Sequence, residues 1–504
     1  MEALQFLLDG FKVAFLPSNL LVCAIGVIIG TLVGAMPGIG PTGAVAMLLA
    51  ATYKLGPDAA IIMLAGIYYG TQYGGTITSV LMGLPGEAAS VVTVFDGYQL
   101  AKQGKAGKAL GIAAVGSFVG GTISIVGLML VGPKLANLAL MFGPAEYFTL
   151  MVLAFSLVTS FAGKSVVRGF LSLMLGLILS MVGQDVITGL QRFTFGHVSL
   201  SDGINFLPVS IGLFGLAEII NSYEKKKNEE WIQADLRWTK VMPSVQDIRE
   251  SAMPMARGTV AGFFSGMLPG VGATIASFLS YGIEQRVSKE PEKFGKGAIA
   301  GVAGPETANN AVTGAAFVPM LSLGIPAGGT SAVLMGALIM FGLQPGPTLF
   351  RDAPGVVWGL IASMYIGNVM LVIINIGFIP AIVYVMNKAK PYLSMIILLL
   401  AVCGVYSFQN SPVDILIMLS AGVLGYFLKK MEIPAAPVIL GMLLGQMAEQ
   451  SLRQSLVISQ GSPLIFVQKP LAAAFLVLAV ASVVLGAMSV KGKGKVLRSD
   501  DVEQ

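Results

Sequence analysis

GTLVGAMPGIGPT (Gly30–Thr42) recurs 232 residues later as GFFSGMLPGVGAT (Gly262–Thr274), both following G-x₃-G-x₂-P-G-x-G-x-T. In each copy a Gly-x₃-Gly packing pattern runs into a Pro-Gly break inside apolar sequence. Two further pairs keep the same order. GLPGEAAS (Gly83–Ser90) matches GIPAGGTS (Gly324–Ser331), and PVSIGLFGLAE (Pro208–Glu218) matches PVILGMLLGQMAE (Pro437–Glu449). Three ordered matches argue for duplication of a unit of roughly 200 residues, approximately 20–220 and 255–450.

The solvent of that unit follows from composition. The chain has 504 residues, 55% hydrophobic and 11% charged, with a formal net charge of +5 and a mean hydropathy of +0.81. A soluble domain carries roughly 25% charged residues, so lipid must cover most of this surface. Apolar runs near 109–132, 144–162, 166–183, 204–220, 356–385, 393–408, 413–428, 434–450 and 470–489 read as spans. Regions 18–52, 58–95 and 255–341 are apolar but interrupted. The two cysteines, Cys23 and Cys403, sit in apolar runs and imply no disulfide framework. The single histidine, His197, argues against His-based catalysis or a multi-His metal site. The first residues lack a basic n-region and a small-residue cleavage site, so no cleaved signal peptide is expected.

Basic clusters set the orientation and the sign of the repeat. Lys102/Lys105/Lys108, Lys164/Arg168, the loop holding Lys225 to Arg249, Arg286 to Lys296, Lys388/Lys390, Lys429/Lys430 and the tail from Lys491 fall on one face. That face is expected to be the cytoplasm, placing the C-terminus inside. The loop after PGIG has one basic residue, whereas the loop after PGVG has Arg286, Lys289, Lys293 and Lys296. Corresponding loops therefore face opposite sides. The expected fold is an all-α polytopic membrane protein of two inverted-topology repeats, with re-entrant helical hairpins and broken helices. The first repeat spans 1–220, with a hairpin near 18–52 and a broken segment at 58–95. A cytoplasmic loop follows at 221–254. The second repeat spans 255–450, with a hairpin near 255–283 and a broken segment at 297–341. Residues 451–504 form a last span and basic tail.

Broken helices in lipid are tolerated where the freed backbone lines a polar cavity. Half-helix N-termini there favour anionic groups and freed carbonyls favour cations. The candidate substrate contacts are therefore Pro37, Gly38, Gly40, Thr42, Pro85, Gly86, Ser90, Pro269, Gly270, Gly272, Thr274, Pro326, Thr330 and Ser331, with Thr93 a further hydroxyl. Asn309 and Asn310 join them as amides of the run Gly304–Asn310, which lies in the broken segment 297–341. Glu306, Asn310 and Gly270 are candidate cation ligands, although Glu306 equally suits a helix cap near the surface. Glu218 and Glu449 end spans and suit interhelical or snorkelling roles, while Asn368 and Asn375 suit interhelical hydrogen bonds. The alternative reading of the motifs is close packing and kinking alone.

Enzyme signatures are absent: no Walker A, no HExxH and no GxSxG elbow. No cofactor beyond a coupling ion is expected, and the only metal in view is Na⁺. A passive anion channel or a membrane enzyme acting on lipid-linked substrates remains the alternative class.

Tyr68–Gly111, PGIGPTGAVAMLL, RFTFG (Arg192–Gly196), IGLFGLAE and PGVGATIASFLSYGIEQ together resemble the large membrane subunit of tripartite tricarboxylate transporters, the TctA family, over nearly the whole chain. The resemblance implies a secondary transporter of the bacterial inner membrane that takes up citrate or a related di- or tricarboxylate, driven by Na⁺ or H⁺. It implies as partners a small membrane subunit of about four helices and a periplasmic solute-binding protein, with no nucleic acid. A homo-oligomer is left open. Two opposed hairpins suggest an elevator-like motion against spans such as 144–183.

Overall fold

The computed structural model describes residues 2–36, 40–161, 165–185, 188–224, 232 and 234–499. The chain begins with α1 (Glu2–Ala14), α2 (Pro17–Gly34), α3 (Pro41–Thr52) and α4 (Pro57–Met82). After the loop 83–90 it runs through α5 (Val91–Thr93), a π-turn (Val94–Tyr98) and α6 (Gln99–Lys102) into α7 (Ala106–Ala139). Next come α8 (Pro144–Phe161), α9 (Val166–Ser180) and a two-residue hairpin of β1 (Gly183–Gln184) and β2 (Gln191–Arg192). Then α10 (Phe206–Ser210) passes through a second π-turn into α11 (Ala217–Glu224).

The second half opens with α12 (Trp238–Val241), α13 (Val245–Met267) and α14 (Gly272–Val287). It continues with α15 (Ala300–Ala315), α16 (Phe317–Leu323), α17 (Gly329–Met340), α18 (Leu349–Asp352) and α19 (Pro354–Gly377). The last helices are α20 (Ile379–Gln409), α21 (Pro412–Lys430), α22 (Ala436–Ile458), α23 (Ile465–Gln468) and α24 (Pro470–Ser499). Among the described residues α2, α7, α19 and α21 are long and apolar enough to cross a membrane. Ile123, Leu130, Phe170, Leu171, Phe264 and Val477 point outward, the surface that a multi-pass membrane protein offers to lipid.

The expected break at Pro269-Gly270 is present: α13 stops at Met267 and α14 begins at Gly272. Pro37 and Gly38 of the matching break lie outside the described residues. The Gly-x₃-Gly half of each motif is a packing device. A Cβ on Gly26, Gly30 or Gly34 would strike the backbone of Met63, Ile67 or Thr71, so α2 and α4 run parallel in near backbone contact. Gly258, Gly262 and Gly266 meet Gly304, Ala308 and Val312 in the same way, joining α13 to α15. Small residues permit this approach where lipid supplies no hydrophobic drive.

The GLPG and GIPA motifs also share a local cause. Gly83 (φ 68°) ends α4 and Gly324 (φ 69°) ends α16, both in the left-handed conformation that glycine adopts without a Cβ penalty. The following turns match as well. Ser90 Oγ accepts from the Glu87 N–H at 3.3 Å, and Ser331 Oγ from the Gly328 N–H at 2.8 Å. Each serine hydroxyl donates back to the carbonyl of the same residue, at 3.0 Å in both cases.

One span runs differently from the expectation. The apolar run 356–385 crosses a helix boundary, since α19 ends at Gly377 and α20 restarts with Pro380 in its first turn, where proline's missing N–H costs nothing. Gly304–Asn310 is a continuous part of α15, and the helix breaks within the segment 297–341 fall later, at Ala316 and at 324–328. Pro305 is tolerated near the start of that helix, and its carbonyl accepts a hydrogen bond from Ser277 Oγ at 3.3 Å.

One end of the bundle gathers three basic stretches. Lys108 pairs with Asp247, and Gln103 Nε2 donates to the Lys296 carbonyl at 2.8 Å. Between them Asp96, fully buried in the first π-turn, accepts from the Gly297 N–H (2.8 Å), the Ala298 N–H (2.7 Å) and the Tyr281 hydroxyl (2.9 Å). Asp96→Ala should leave three donors without acceptors and lower stability by about 2–4 kcal/mol. A thermal melt of the purified protein in detergent checks this, and an unchanged midpoint would refute the clamp.

Candidate functional site

Three helix N-termini come together at partly exposed positions. Thr42 is the second residue of α3 and Thr330 the second of α17, and their hydroxyls lie 2.8 Å apart. The Gly270 N–H, two residues before α14, donates to the carbonyl of Ala327, two residues before α17, at 2.8 Å. In front of these termini is open space, because a Cβ built on Gly40, Gly272 or Gly328 would meet no atom within 4 Å. Each N-terminus presents unpaired N–H groups and a partial positive charge to that space. Among the described residues no lysine or arginine is buried, so an anion entering here meets helix ends and hydroxyls rather than a buried cationic side chain.

On α15, which packs against α14, and in the loop 83–90 lie two buried carboxyl groups. Glu306, 1% exposed on α15, accepts from Thr76 Oγ1 of α4 at 2.8 Å and from Thr93 Oγ1 of α5. It stands inside the helix, not at its cap. Glu87, 6% exposed in the loop 83–90, accepts from Asn309 Nδ2 at 2.7 Å and faces the amide of Gln72. Each acid is thus met by donors from the other half of the chain. Asn310 Nδ2 donates to Ser117 Oγ (2.7 Å) and to the Glu306 carbonyl (3.1 Å). Tyr73 donates to Asn368 Oδ1 at 2.6 Å, and the Asn368 amide donates to the Phe118 carbonyl and to Thr122. That is the interhelical role expected of Asn368, whereas Asn375 donates within its own helix to Leu371.

The structure thus unites Thr42 with Thr330 and Asn309 with Glu87. Gly40, Gly272 and Thr274 stand at helix starts, and Gly86, buried, donates its N–H to the Gly75 carbonyl at 3.4 Å. Ser90 and Ser331 are engaged in their own turns, Pro85 is half-buried and Pro326 buried beside them, and Pro269 is buried at the tip of the second break. Of the cation set, the Gly270 N–H is committed to Ala327 and the Asn310 amide nitrogen to Ser117 and a carbonyl. Neither hydrogen-bonds to the Glu306 carboxyl among the described residues. Glu218 pairs with Lys429 at 2.5 Å, and Glu449 with Arg192 (2.8 Å) and Arg453 (2.5 Å), as span-end acids are expected to do.

Sequence reading missed Glu87, Gln72, Thr76 and Tyr73. Glu87 carried a signal: it is an acid in an apolar stretch at the position where the matching motif has Gly328.

A model of the tripartite tricarboxylate transporter TctA family matches residues 20–440. A protein of Agrobacterium vitis described as an "Uncharacterized 52.8 kDa protein in TAR-I ttuC' 3'region" is 44% identical over 494 residues, 98% of each chain. A second from the same organism, an "Uncharacterized protein in TAR-II ttuC' 3'region", is 42% identical over 233 residues, 46% of this chain and 96% of its own. No solved structure matches the chain.

Proposed function

Because this chain belongs to the tripartite tricarboxylate transporter TctA family, we propose that it couples uptake of a di- or tricarboxylate such as citrate to an inward Na⁺ or proton gradient. In this reading it sits in the bacterial inner membrane, with a small membrane subunit and a periplasmic binding protein that delivers the solute. The observation that carries the proposal is the convergence of α3, α14 and α17 on open space with no buried lysine or arginine among the described residues. A small anion with several carboxylates suits such a site, since each helix end offers N–H donors to one carboxylate. The buried carboxyls of Glu87 and Glu306 then offer places where an accompanying cation or proton offsets the substrate's charge. The two halves are read as inverted repeats whose hairpins carry the site in an elevator-like motion.

Uptake of labelled citrate into proteoliposomes holding this chain and its small partner tests the reading. An inward Na⁺ gradient is compared with a proton gradient, each with and without the binding protein. Accumulation that needs the binding protein and one gradient is the expected result; its absence under every condition would overturn citrate as the solute. Gly40→Leu adds a local test. Gly40 has an ordinary φ of −71° and open space ahead, so the variant should fold normally while its side chain fills the site. Uptake should fall about tenfold or more, a barrier change of roughly 1.4 kcal/mol, and normal uptake would remove the substrate from this space.

A further inference from the structure

Gln72, Glu87 and Asn309 close a ring across the two halves of the chain. Asn309 Nδ2 donates to Glu87 Oε1 at 2.7 Å. One end of the Gln72 amide lies 2.5 Å from Glu87 Oε1 and also against Oε2, and its other end lies 3.1 Å from Asn309 Oδ1. The amide nitrogen and oxygen can be placed either way round in this position, and the two placements suit different charge states of Glu87. With its nitrogen toward an ionised Glu87, it donates to the carboxylate, but its oxygen then opposes Asn309 Oδ1, two acceptors with no hydrogen between them. With its oxygen toward Glu87, its nitrogen donates to Asn309 Oδ1, and the Glu87–Gln72 contact closes only when the carboxyl holds a proton. In that state every member of the ring is satisfied: Glu87 O–H to Gln72, Gln72 N–H to Asn309, Asn309 N–H to Glu87.

We propose that Glu87 is a proton-binding site whose charge state is transmitted to α4 and α15 through the Gln72 amide. The step is simple to balance. Glu87 releases its hydroxyl proton to water, the amide of Gln72 turns over, and the hydrogen bond between α4 and α15 gives way to an oxygen–oxygen repulsion. A proton arriving restores the ring and locks the two helices together. Glu306 on α15 is the titratable group whose charge bears on Glu87, and Glu87 in turn bears on the Tyr68 hydroxyl of α4; neither group donates to the Glu87 carboxyl among the described hydrogen bonds. No basic side chain is buried with it among the described residues, so a proton is what makes this carboxyl neutral in the protein interior. This deepens the transport reading above and rests on it for the role of the proton in coupling.

Infrared difference spectra of the purified full-length protein, recorded between acidic and alkaline pH without any substrate, test the site directly. The wild type should show carbonyl absorption of a protonated carboxylic acid with a component that Glu87→Gln loses and Glu306→Gln keeps. Uptake driven by a proton gradient should fall at least about tenfold in Glu87→Gln. A band as strong in Glu87→Gln as in the wild type, or a loss confined to Glu306→Gln, would overturn the assignment. The spectrum needs no solute, so a failure of citrate transport with the band present would strike the transport reading and leave the proton site standing.

Discussion

Replacing Glu306 by glutamine is expected to abolish concentrative uptake, by at least about 100-fold, while leaving a folded protein in the membrane. The carboxyl is 1% exposed, with no buried lysine or arginine to meet it among the described residues. Its donors are two hydroxyls, Thr76 and Thr93. Holding a carboxylate in such a place costs several kcal/mol, and an amide of the same shape keeps the donors engaged at lower cost. The glutamine variant should therefore melt at or above the wild-type temperature. Alanine should be worse on both counts, because it leaves two buried hydroxyls without an acceptor, at about 1–3 kcal/mol each. Uptake per inserted molecule, measured beside a thermal melt, separates charge from shape. Normal accumulation by the glutamine variant would remove Glu306 from the transport cycle.

Gly270→Val is the second large effect. Gly270 has φ 85°, a conformation hostile to β-branched residues. A Cβ there would lie 2.7 Å from the Leu157 carbonyl oxygen and 2.9 Å from Val158 Cα, within α8. Relief requires the tip to move, and that movement breaks the hydrogen bond from the Gly270 N–H to Ala327, just before α17. Backbone strain of this kind costs about 1–3 kcal/mol before any clash is counted. Uptake should fall about 100-fold, with membrane insertion intact, since valine leaves the hydrophobic spans unaltered. Quantitative blotting of membranes beside uptake checks it, and uptake near wild type would show that the tip tolerates displacement.

What was legible in the chain had a local cause. A Pro-Gly pair at the end of an apolar helical run marks a break, so the break before α14 followed from pattern alone, and the GLPG and GIPA match pointed to the shared turn that follows Gly83 and Gly324. The Gly-x₃-Gly runs were ambiguous because the same spacing serves packing and kinking. Only the partner helices, α4 and α15, settle it for packing. Where the segment 297–341 breaks was not legible, because Pro305 sits inside α15 while the breaks fall at Ala316 and after Leu323. The acid site was half visible. Glu306 and Asn309 stood out as polar residues in apolar sequence, but their partners Thr76, Thr93, Gln72 and Glu87 lie more than 200 residues away, and no spacing rule connects them.

That crossing of partners bears on how such a chain can change over time. Without the Thr76 hydroxyl Glu306 is poorer by a donor, and without the Asn309 amide so is Glu87. A substitution that removes one of these donors from one half therefore orphans an acid in the other, so the two halves of this chain answer to change as a single unit.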